Sequence, residues 1–537
     1  PFFSGNRYPS RYSVMLMLCI AVLAAVGLTY LLSRLSLSRL SVSRHALSRS
    51  LLVLVSGLFL VEHLAVPMPL SDFRIPALYE RLAATPGDFT LLELPTGWRN
   101  GARVMGKSDI LIMMQQWYQT AHGKRRLGGN TSRNPLYKFQ YFSDAPLIGD
   151  LIALMNATPS ADPNQNELPR QVEASFDELV ARNRAVAPTV LDFLGVHYVT
   201  VHVEKTPPLL QRFVAEVLPL TLIEQWQGTD WSGAPATIDL YAVTPQPVQP
   251  QWSIELAATT STLYLAEGWA TLPWQGVRYA TRPCATLLLD LPTHPGQLTL
   301  QLAEPATPTS ATLNGASLPV GSPESPSTAA VNFTADQADA LVDRFTLCAD
   351  TATPLTALAT PPIAEGWPIG GTGAAVAADL FARSAGSDVG NFAQILRNGE
   401  PVMPTARGYN LAAFDPAGAL LATATFDTHL TATSGAALAA WVAALPAGSV
   451  VAGAVMDEAS NALDDGAVQA LAALGVATDL RGRFRWSHAF IGVKGAPPGS
   501  AIEQLSLLQP ATVAVGVAVD APTIYLGIRK VDYQMTD

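Results

Sequence analysis

Asp427 and His429 are the side chains whose type and spacing come nearest to catalytic chemistry. They stand two positions apart, behind a strand-like run that ends at Phe426. A carboxylate beside an imidazole can move protons in general acid–base catalysis. The Asp-Thr-His run is also typical of a turn that closes a hairpin, and we adopt this interpretation. We therefore predict no catalytic residue, and whether the chain acts as an enzyme stays open.

Cysteine and histidine spacing predicts no metal site, and we expect no cofactor. The eight histidines are scattered, and neither CxxC nor HExxH occurs. Cys19 lies in an apolar run, whereas Cys284 and Cys348 fall in one predicted β domain. These two form a disulfide in an oxidising compartment, or they are two buried free thiols.

Length and charge limit the classes of protein. A chain of 537 residues is too long for one hydrophobic core, so several domains are expected. Lys and Arg total 33 against 43 Asp and Glu, which gives a net charge of -10. Because binding to a phosphate backbone draws on concentrated positive charge, nucleic acid is not an expected partner.

Two apolar runs near the start predict transmembrane helices at about residues 12–32 and 46–66, within a membrane region of residues 1–70. Between them, arginine recurs every five residues without an acidic residue, at Arg34, Arg39, Arg44 and Arg49. By the positive-inside rule this loop is cytoplasmic. We therefore expect a lipid bilayer as partner, a location at the cell membrane, and extracytoplasmic domains in the periplasm or at the cell surface.

Residues 71–247 alternate strand-like and helical patterns, which predicts an α/β domain. Strands are predicted at Phe89–Leu94 and Tyr198–Val203, and helices at Asp109–Thr120 and Pro208–Val217. Between them, the run HGKRRLGGNTSRNP combines basic residues, a glycine pair and turn formers. It is interpreted as a solvated connection or, alternatively, as a loop that contacts a ligand.

A Pro-rich linker near residue 248 precedes short β-type runs separated by Pro, Gly and Ser. This pattern predicts a jelly-roll-like β-sandwich over residues 248–362. Whether the sandwich binds a ligand does not follow from its fold.

From residue 363 the chain carries ordered motifs: RNGEPV, RGYNL, FDPAG, FDT, LPAGSVV, MDEA, a helix that ends in ALG, and FRWSHAFIGVKG. In this order they resemble the interleukin-like EMT inducer (ILEI) domain over residues 363–537. The resemblance implies a β-rich α+β fold with flanking helices and, in several members, carbohydrate binding. Residues 363–537 contain no cysteine, unlike the cytokine members of this family.

The ILEI resemblance also implies site residues. By motif position, Asp457 and Arg485 would hold a sugar, and Trp486 would supply an aromatic plate. A carboxylate accepts hydrogen bonds from vicinal hydroxyls, and a guanidinium donates to ring or acetamide oxygens. The alternative for Asp457 and Arg485 is a surface ion pair or a helix cap.

Residues 1–245 show a second, weaker resemblance, to the C-terminal end of polytopic GT-C class glycosyltransferases. In that class the catalytic acidic residues lie on an early outer loop, which has no counterpart here. The chain begins at Pro1, so we expect a fragment or a processed product. The expected function is a glycan-recognition region of a bacterial, glycosyltransferase-like cell-envelope protein. The alternatives are the C-terminal part of an active GT-C enzyme and an assembly subunit that binds protein partners, which the sequence does not identify.

Overall fold

A computed structural model describes residues 13–34, 44–63, 72–100, 104–107, 109–130, 136–161, 166–304, 307–321 and 327–536. The chain divides into two compact units. The first comprises residues 1–73 and 231–233, and the second comprises residues 74–230 and 234–537. All the domains discussed below belong to the second unit.

The first unit contains two helices, α1 (Ser13–Arg34) and α2 (Arg44–His63). Among the helices that the structure describes, none is both long enough and apolar enough to cross a membrane. The predicted transmembrane helices at 12–32 and 46–66 are therefore wrong. A span needs about 20 consecutive apolar residues, whereas Arg44, Arg49 and Glu62 all fall within the 20 residues of α2. Tyr12 and the loop around Arg39 lie outside the described residues.

The α/β domain follows, and its elements continue the numbering. Its helices are α3 (Leu78–Ala84), α4 (Ile110–His122), α5 (Leu136–Asp144), α6 (Ile148–Asn156), α7 (Glu167–Ala174), α8 (Phe176–Phe193) and α9 (Pro208–Val217). Its strands are β1 (Thr90–Leu94), β2 (Gly97–Arg99), β3 (Val104–Gly106), β4 (Arg125–Leu127), β5 (Gly129–Asn130), β6 (Val196–His202), β7 (Leu220–Thr229) and β8 (Pro235–Val243).

The main sheet of this domain has the order β4-β1-β6-β8-β7. Strand β1 runs parallel to β4 and β6, and β8 runs antiparallel to β6 and β7. The predicted helix Pro208–Val217 is confirmed by α9. Helix α4 begins one residue after the predicted start, because the Asp109 side chain caps it by accepting from the Leu111 N–H at 2.9 Å. Apolar residues of these helices and of the main sheet form one core.

The sandwich is built from two sheets. Its strands are β9 (Gln251–Glu255), β10 (Arg278–Ala280), β11 (Cys284–Leu289), β12 (Gly296–Ala303), β13 (Ser310–Leu313), β14 (Ala316–Leu318), β15 (Thr328–Phe333), β16 (Asp343–Cys348) and the short β17 (Thr353–Pro354). In β12 buried residues alternate with half-exposed ones, as expected for a strand with one face on a core. Strands β11 and β16 pair so that Cys284 lies opposite Cys348, and the two sulfurs are bonded at 2.05 Å.

The C-terminal elements form a nine-stranded sheet, three short strands outside it and two helices. The strands are β18 (Trp367–Pro368), β19 (Ala375–Val376), β20 (Leu380–Gly386), β21 (Phe392–Arg397), β22 (Glu400–Pro401), β23 (Gly408–Phe414), β24 (Leu420–Phe426), β25 (Val450–Asp457), β26 (Ser487–Val493), β27 (Ile502–Ser506), β28 (Ala511–Val515) and β29 (Thr523–Ile524). The helices are α10 (Ser434–Ala444) and α11 (Asp465–Ala472).

Within this nine-stranded sheet, β23 and β25 are covered on both faces. One face packs on residues of β20, β21, β26 and β28, and the other packs under α10 and α11. Strands β20 and β25 pair in parallel only at their last two residues, where Gly386 lies opposite Asp457. This short pairing connects the two parts of the sheet at the point where the candidate site lies.

The last strand, β30 (Leu526–Met535), leaves the ILEI-like domain and returns to the sandwich. It pairs with β12, β10 and β9, and the sandwich sheet has the order β10-β30-β12-β15. The sequence placed these residues in the ILEI-like domain. Apolar side chains of β30, such as Ile528 and Val531, complete the sandwich core instead. The ILEI-like domain is therefore inserted between two strands of the sandwich.

Candidate functional site

Asp457 is the last residue of β25, a strand that is buried over most of its length. Its backbone has a φ of 65°, a left-handed conformation that is uncommon for residues other than glycine. The Asp457 carbonyl accepts a hydrogen bond from the Ser387 N–H at 3.0 Å. Its half-exposed carboxylate makes no hydrogen bond or ion pair with any described residue. The strand thus presents an unpaired carboxylate at its end.

Arg485 lies just before β26 and has a φ of 62°. Its Nη1 donates to Asp388 Oδ1 at 3.0 Å. The exposed fractions of the two side chains are 39% for Arg485 and 21% for Asp388. The Arg485 guanidinium carbon lies 5.0 Å from the centre of the Phe484 ring. This places a cation, a carboxylate and an aromatic ring side by side.

Gly386 brings the Asp457 and Arg485 backbones to the same place. It pairs with Asp457 in the sheet, and its N–H donates to Ser487 Oγ at 3.0 Å. A Cβ at this position would lie 1.8 Å from the Arg485 carbonyl oxygen. Only glycine allows that approach, so the two site residues are held together by backbone contacts.

The charges of this cluster influence one another. The pKa of Asp388 is raised above its ordinary value, mainly by burial. The Arg485 cation opposes this rise in pKa, and the Asp457 charge adds to it. The pKa of Arg407 is raised, first by its hydrogen bond to Asp427 and to a smaller extent by Asp457 and Glu458. Asp457 therefore lies within electrostatic reach of both Arg407 and Asp388.

Trp486 is the aromatic residue that the resemblance implies for a plate. The side chain is half-buried and packs against both the α/β core and the core under α10 and α11. Its buried Nε1 has no hydrogen-bond partner among the residues that the structure describes, and the Arg483 guanidinium lies 5.0 Å from the ring centre. The aromatic ring near the Arg485 guanidinium is that of Phe484.

Asp427 and His429 are tied into a turn. Arg407 Nη2 donates to Asp427 Oδ2 at 2.8 Å, and Asp427 Oδ1 accepts from the N–H groups of His429 and Leu430, each at 3.2 Å. His429 Nδ1 lies 2.6 Å from Glu458 Oε2. Each group thus has a structural partner, and the arrangement is that of an ordered turn after β24.

Sequence reasoning missed Asp388 and Phe484, the two side chains that contact Arg485. Asp388 lies in the turn between β20 and β21, far from Arg485 in the chain, and no local pattern distinguishes it from other turn carboxylates. Phe484 and Trp486 flank Arg485 in the chain, and adjacency alone does not show that the Phe484 ring is the one that contacts the Arg485 guanidinium. In the described parts of the chain, no group of three or more His, Cys, Asp or Glu residues could hold a metal ion.

A comparison with protein families identifies one segment. Residues 407–496 match the family model described as Interleukin-like EMT inducer. No curated protein matches the chain. The matched segment contains Asp457, Arg485 and Phe484, whereas Gly386 and Asp388 precede it. On this match, residues 407–496 form an ILEI domain.

Proposed function

We propose that the ILEI domain recognises a glycan through the edge formed by Asp457, Arg485 and Phe484. The observation that carries the proposal is the Asp457 carboxylate, which is accessible, unpaired among the described residues and held in a left-handed backbone conformation. Strained backbone persists where the surrounding structure enforces it, and it concentrates at binding and catalytic sites.

The chemistry of this edge suits a sugar. The Asp457 carboxylate can accept hydrogen bonds from two adjacent hydroxyls. The Arg485 guanidinium has five N–H donors, and one hydrogen bond, to Asp388, is described for it. Its remaining donors can bind a ring or acetamide oxygen. The half-exposed Phe484 ring offers an apolar surface for the C–H face of a sugar.

A location outside the cytoplasm is part of this proposal. The bond between Cys284 and Cys348 supports it, because disulfides persist mainly in oxidising compartments. In such a location the ILEI domain would meet cell-envelope glycans, as an accessory region of a glycosyltransferase-like protein. The resemblance of residues 1–245 to GT-C enzymes stays a prediction.

The proposal is tested by glycan-array binding of the intact chain. The chain is kept whole because β30 belongs to the sandwich, so a segment that begins at residue 363 would carry a strand without its partners. The variants are Asp457→Asn and Arg485→Gln, and Asp465→Asn is the control. Asn tolerates a left-handed backbone, which keeps the first variant close to the native conformation. Asp465 is an exposed carboxylate of the same domain, on α11.

We expect the wild type and the Asp465→Asn control to bind the same glycans. Asp457→Asn and Arg485→Gln should each weaken binding by about tenfold or more, the usual effect of losing a hydrogen bond to a charged group. Equal binding by all four proteins would remove Asp457 and Arg485 from the site. If the folded wild type binds no glycan, the assembly-subunit alternative becomes the better one.

A further inference from the structure

Arg126, in the basic run of the α/β domain, lies inside the protein with a side chain that is 3% exposed. Its Nε donates to Glu93 Oε2 at 2.6 Å, and its Nη2 donates to Gln115 Oε1 at 2.9 Å. Glu93 is itself fixed by the Tyr79 hydroxyl, which donates to Oε1 at 3.0 Å. The guanidinium is thus held in one orientation by contacts on two sides.

The third nitrogen of this guanidinium, Nη1, is buried and has no hydrogen-bond partner in the part of the chain that the structure describes. Nearly all buried polar groups in proteins are paired with protein atoms or water, so an unpaired guanidinium N–H requires an explanation. A ligand oxygen is one such explanation, because charged N–H donors bind carboxylate and phosphate oxygens strongly.

Arg126 lines a cavity of about 310 Å³. Gly128 and Gly129 form part of the same wall, and both have positive φ values, of 99° and 138°. A Cβ on Gly129 would lie 3.9 Å from Arg126 Nη1. The glycine pair therefore leaves space beside the unpaired donor that most side chains would fill.

The rest of the cavity wall is largely apolar, with two further cations, Arg125 and Lys138. Trp98 and Phe142 line it, and their rings are stacked with centroids 4.8 Å apart. Leu341 and Val342 of the sandwich close another side. Lys138 on α5 also lines the cavity and is exposed to solvent. The cavity thus combines an apolar wall with three cationic side chains, those of Arg125, Arg126 and Lys138.

The charges around the cavity leave an excess of positive charge. Glu93 balances Arg126, and Asp88 balances Arg125, the other arginine of the cavity wall. Lys138 has no ion-pair partner among the described residues. A ligand with a negative charge would therefore be attracted to this cavity.

We propose that this cavity binds a small organic anion. One carboxylate or phosphate oxygen accepts a hydrogen bond from Arg126 Nη1, Lys138 pairs with the same anionic group, and the apolar body of the ligand rests against Trp98 and Phe142. The cavity belongs to the α/β domain and the sandwich, so this second site does not depend on glycan binding by the ILEI domain.

The first test is isothermal titration calorimetry of the intact chain with benzoate and with phenyl phosphate. Benzamide is the matched control, because it has the shape of benzoate without the charge. We expect saturable binding of at least one of the two anions at one site per chain, at least tenfold tighter than benzamide. The anion that binds tells whether a carboxylate or a phosphate is preferred. The proposal is overturned if neither anion binds, or if benzamide binds as tightly as benzoate.

Protein variants assign the binding to this cavity. Lys138→Gln changes an exposed side chain, so the fold should survive, and the affinity for the anion should fall about fivefold to tenfold. Arg126→Gln should abolish binding if the protein folds. Arg282→Gln, which removes an exposed arginine of the sandwich, should leave the affinity unchanged. Unchanged affinity in Lys138→Gln, whatever the fate of Arg126→Gln, would place the bound anion elsewhere.

Discussion

Arg126 and Arg485 each pair with one carboxylate, but they do so in two very different regions of the molecule. Arg126 is 3% exposed, and its partner Glu93 is fully buried. Arg485 is 39% exposed, and its partner Asp388 is 21% exposed. The backbone of Arg485 is left-handed, whereas Arg126 lies in the regular strand β4. The first pair is a part of the core, and the second lies at an accessible, strained edge.

This difference in burial predicts that the Arg126 pair contributes to stability and that the Arg485 edge serves recognition. Removing one partner of a buried ion pair leaves an uncompensated charge in the interior, which is strongly destabilising. An exposed pair exchanges protein contacts for water and contributes little to stability. We therefore expect substitutions around Arg126 to change mainly the free energy of unfolding, and substitutions of Asp457 or Arg485 to change mainly binding.

The largest effect is expected for Glu93→Ala. This change leaves the Arg126 cation without its carboxylate and should lower the free energy of unfolding by about 3–5 kcal/mol. Urea unfolding followed by tryptophan fluorescence measures the shift. Glu178→Ala, at a glutamate on α8 that is 77% exposed, is the control and should change stability by about 0.5 kcal/mol or less. If the free energy of unfolding fell by a similar amount in both variants, the buried pair would contribute no more to stability than an exposed glutamate.

Gly386→Ala tests whether the accessible edge depends on its backbone contacts. The new Cβ would lie 1.8 Å from the Arg485 carbonyl oxygen, so the two strands must separate. We expect a loss of about 3 kcal/mol, at the upper end of the usual cost of overpacking, together with weaker glycan binding. Thermal unfolding and array binding are measured on the same samples.

The control for this variant is Gly371→Ala, where the nearest atom to an added Cβ lies at an ordinary contact distance of 3.7 Å. Gly371→Ala should be close to neutral in both measurements. If Gly386→Ala were equally neutral, the close approach of Gly386 to Arg485 would not hold the site together.

Acidification should affect the two regions at different pH values. In the α/β domain, burial and then the Arg126 charge lower the pKa of His122 to about 4 and that of His202 to about 3, from an ordinary 6.5. Because both pKa values are depressed in the folded state, their contribution to stability is present above pH 6.5 and is lost as the pH falls toward those values. At pH 5 each histidine should lower the free energy of unfolding by up to about 2 kcal/mol relative to pH 7.

The ILEI-like domain should resist this change down to a lower pH. Burial raises the pKa of Glu503, but hydrogen bonds from His488, Thr478 and Ala477 lower it more, to about 2. The stability that the ionised Glu503 carboxylate contributes is therefore lost only between about pH 4.5 and pH 2. Hydrogen exchange at pH 7 and pH 5, corrected for intrinsic rates, should show loss of protection in the α/β domain first. Simultaneous loss in both domains would contradict this order.

The smallest effect on stability is expected for Asp388→Asn. It removes the ion pair with Arg485, whose side chain is well exposed, and should cost about 1 kcal/mol or less. A differential scanning calorimetry experiment against Asp465→Asn measures the difference. A loss as large as that of Glu93→Ala would mean that the edge, like the interior pair, is a part of the stable core.

Local patterns predicted several elements well. Helix α9 has the predicted bounds, and α4 differs by one residue at its start because Asp109 acts as its cap. The motifs that led to the ILEI domain are also local, and residues 407–496 match the family. Sequence spacing is sufficient in such cases because caps and strand periodicity involve neighbouring residues.

Long-range pairing could not be predicted in the same way. Ser253 of β9 donates to Asp532 of β30 across 279 residues, and nothing in either strand specifies that partner. Asp388 and Arg485 meet because two distant turns lie at one end of the sheet. Trp486 packs against the cores of two domains, and its local sequence does not indicate these contacts. The apolar runs at 12–32 and 46–66 also show that local hydropathy alone gave a wrong prediction of spanning helices.

The central claim is that Asp457 serves recognition at little cost to the fold. The most direct test takes the glycan that binds best on the array and measures its Kd by calorimetry for wild type and Asp457→Asn, with the Tm of both. We predict a Kd at least tenfold higher for Asp457→Asn, with a Tm close to that of the wild type. An unchanged Kd, or a large fall in Tm that accompanies the loss of binding, would contradict the claim.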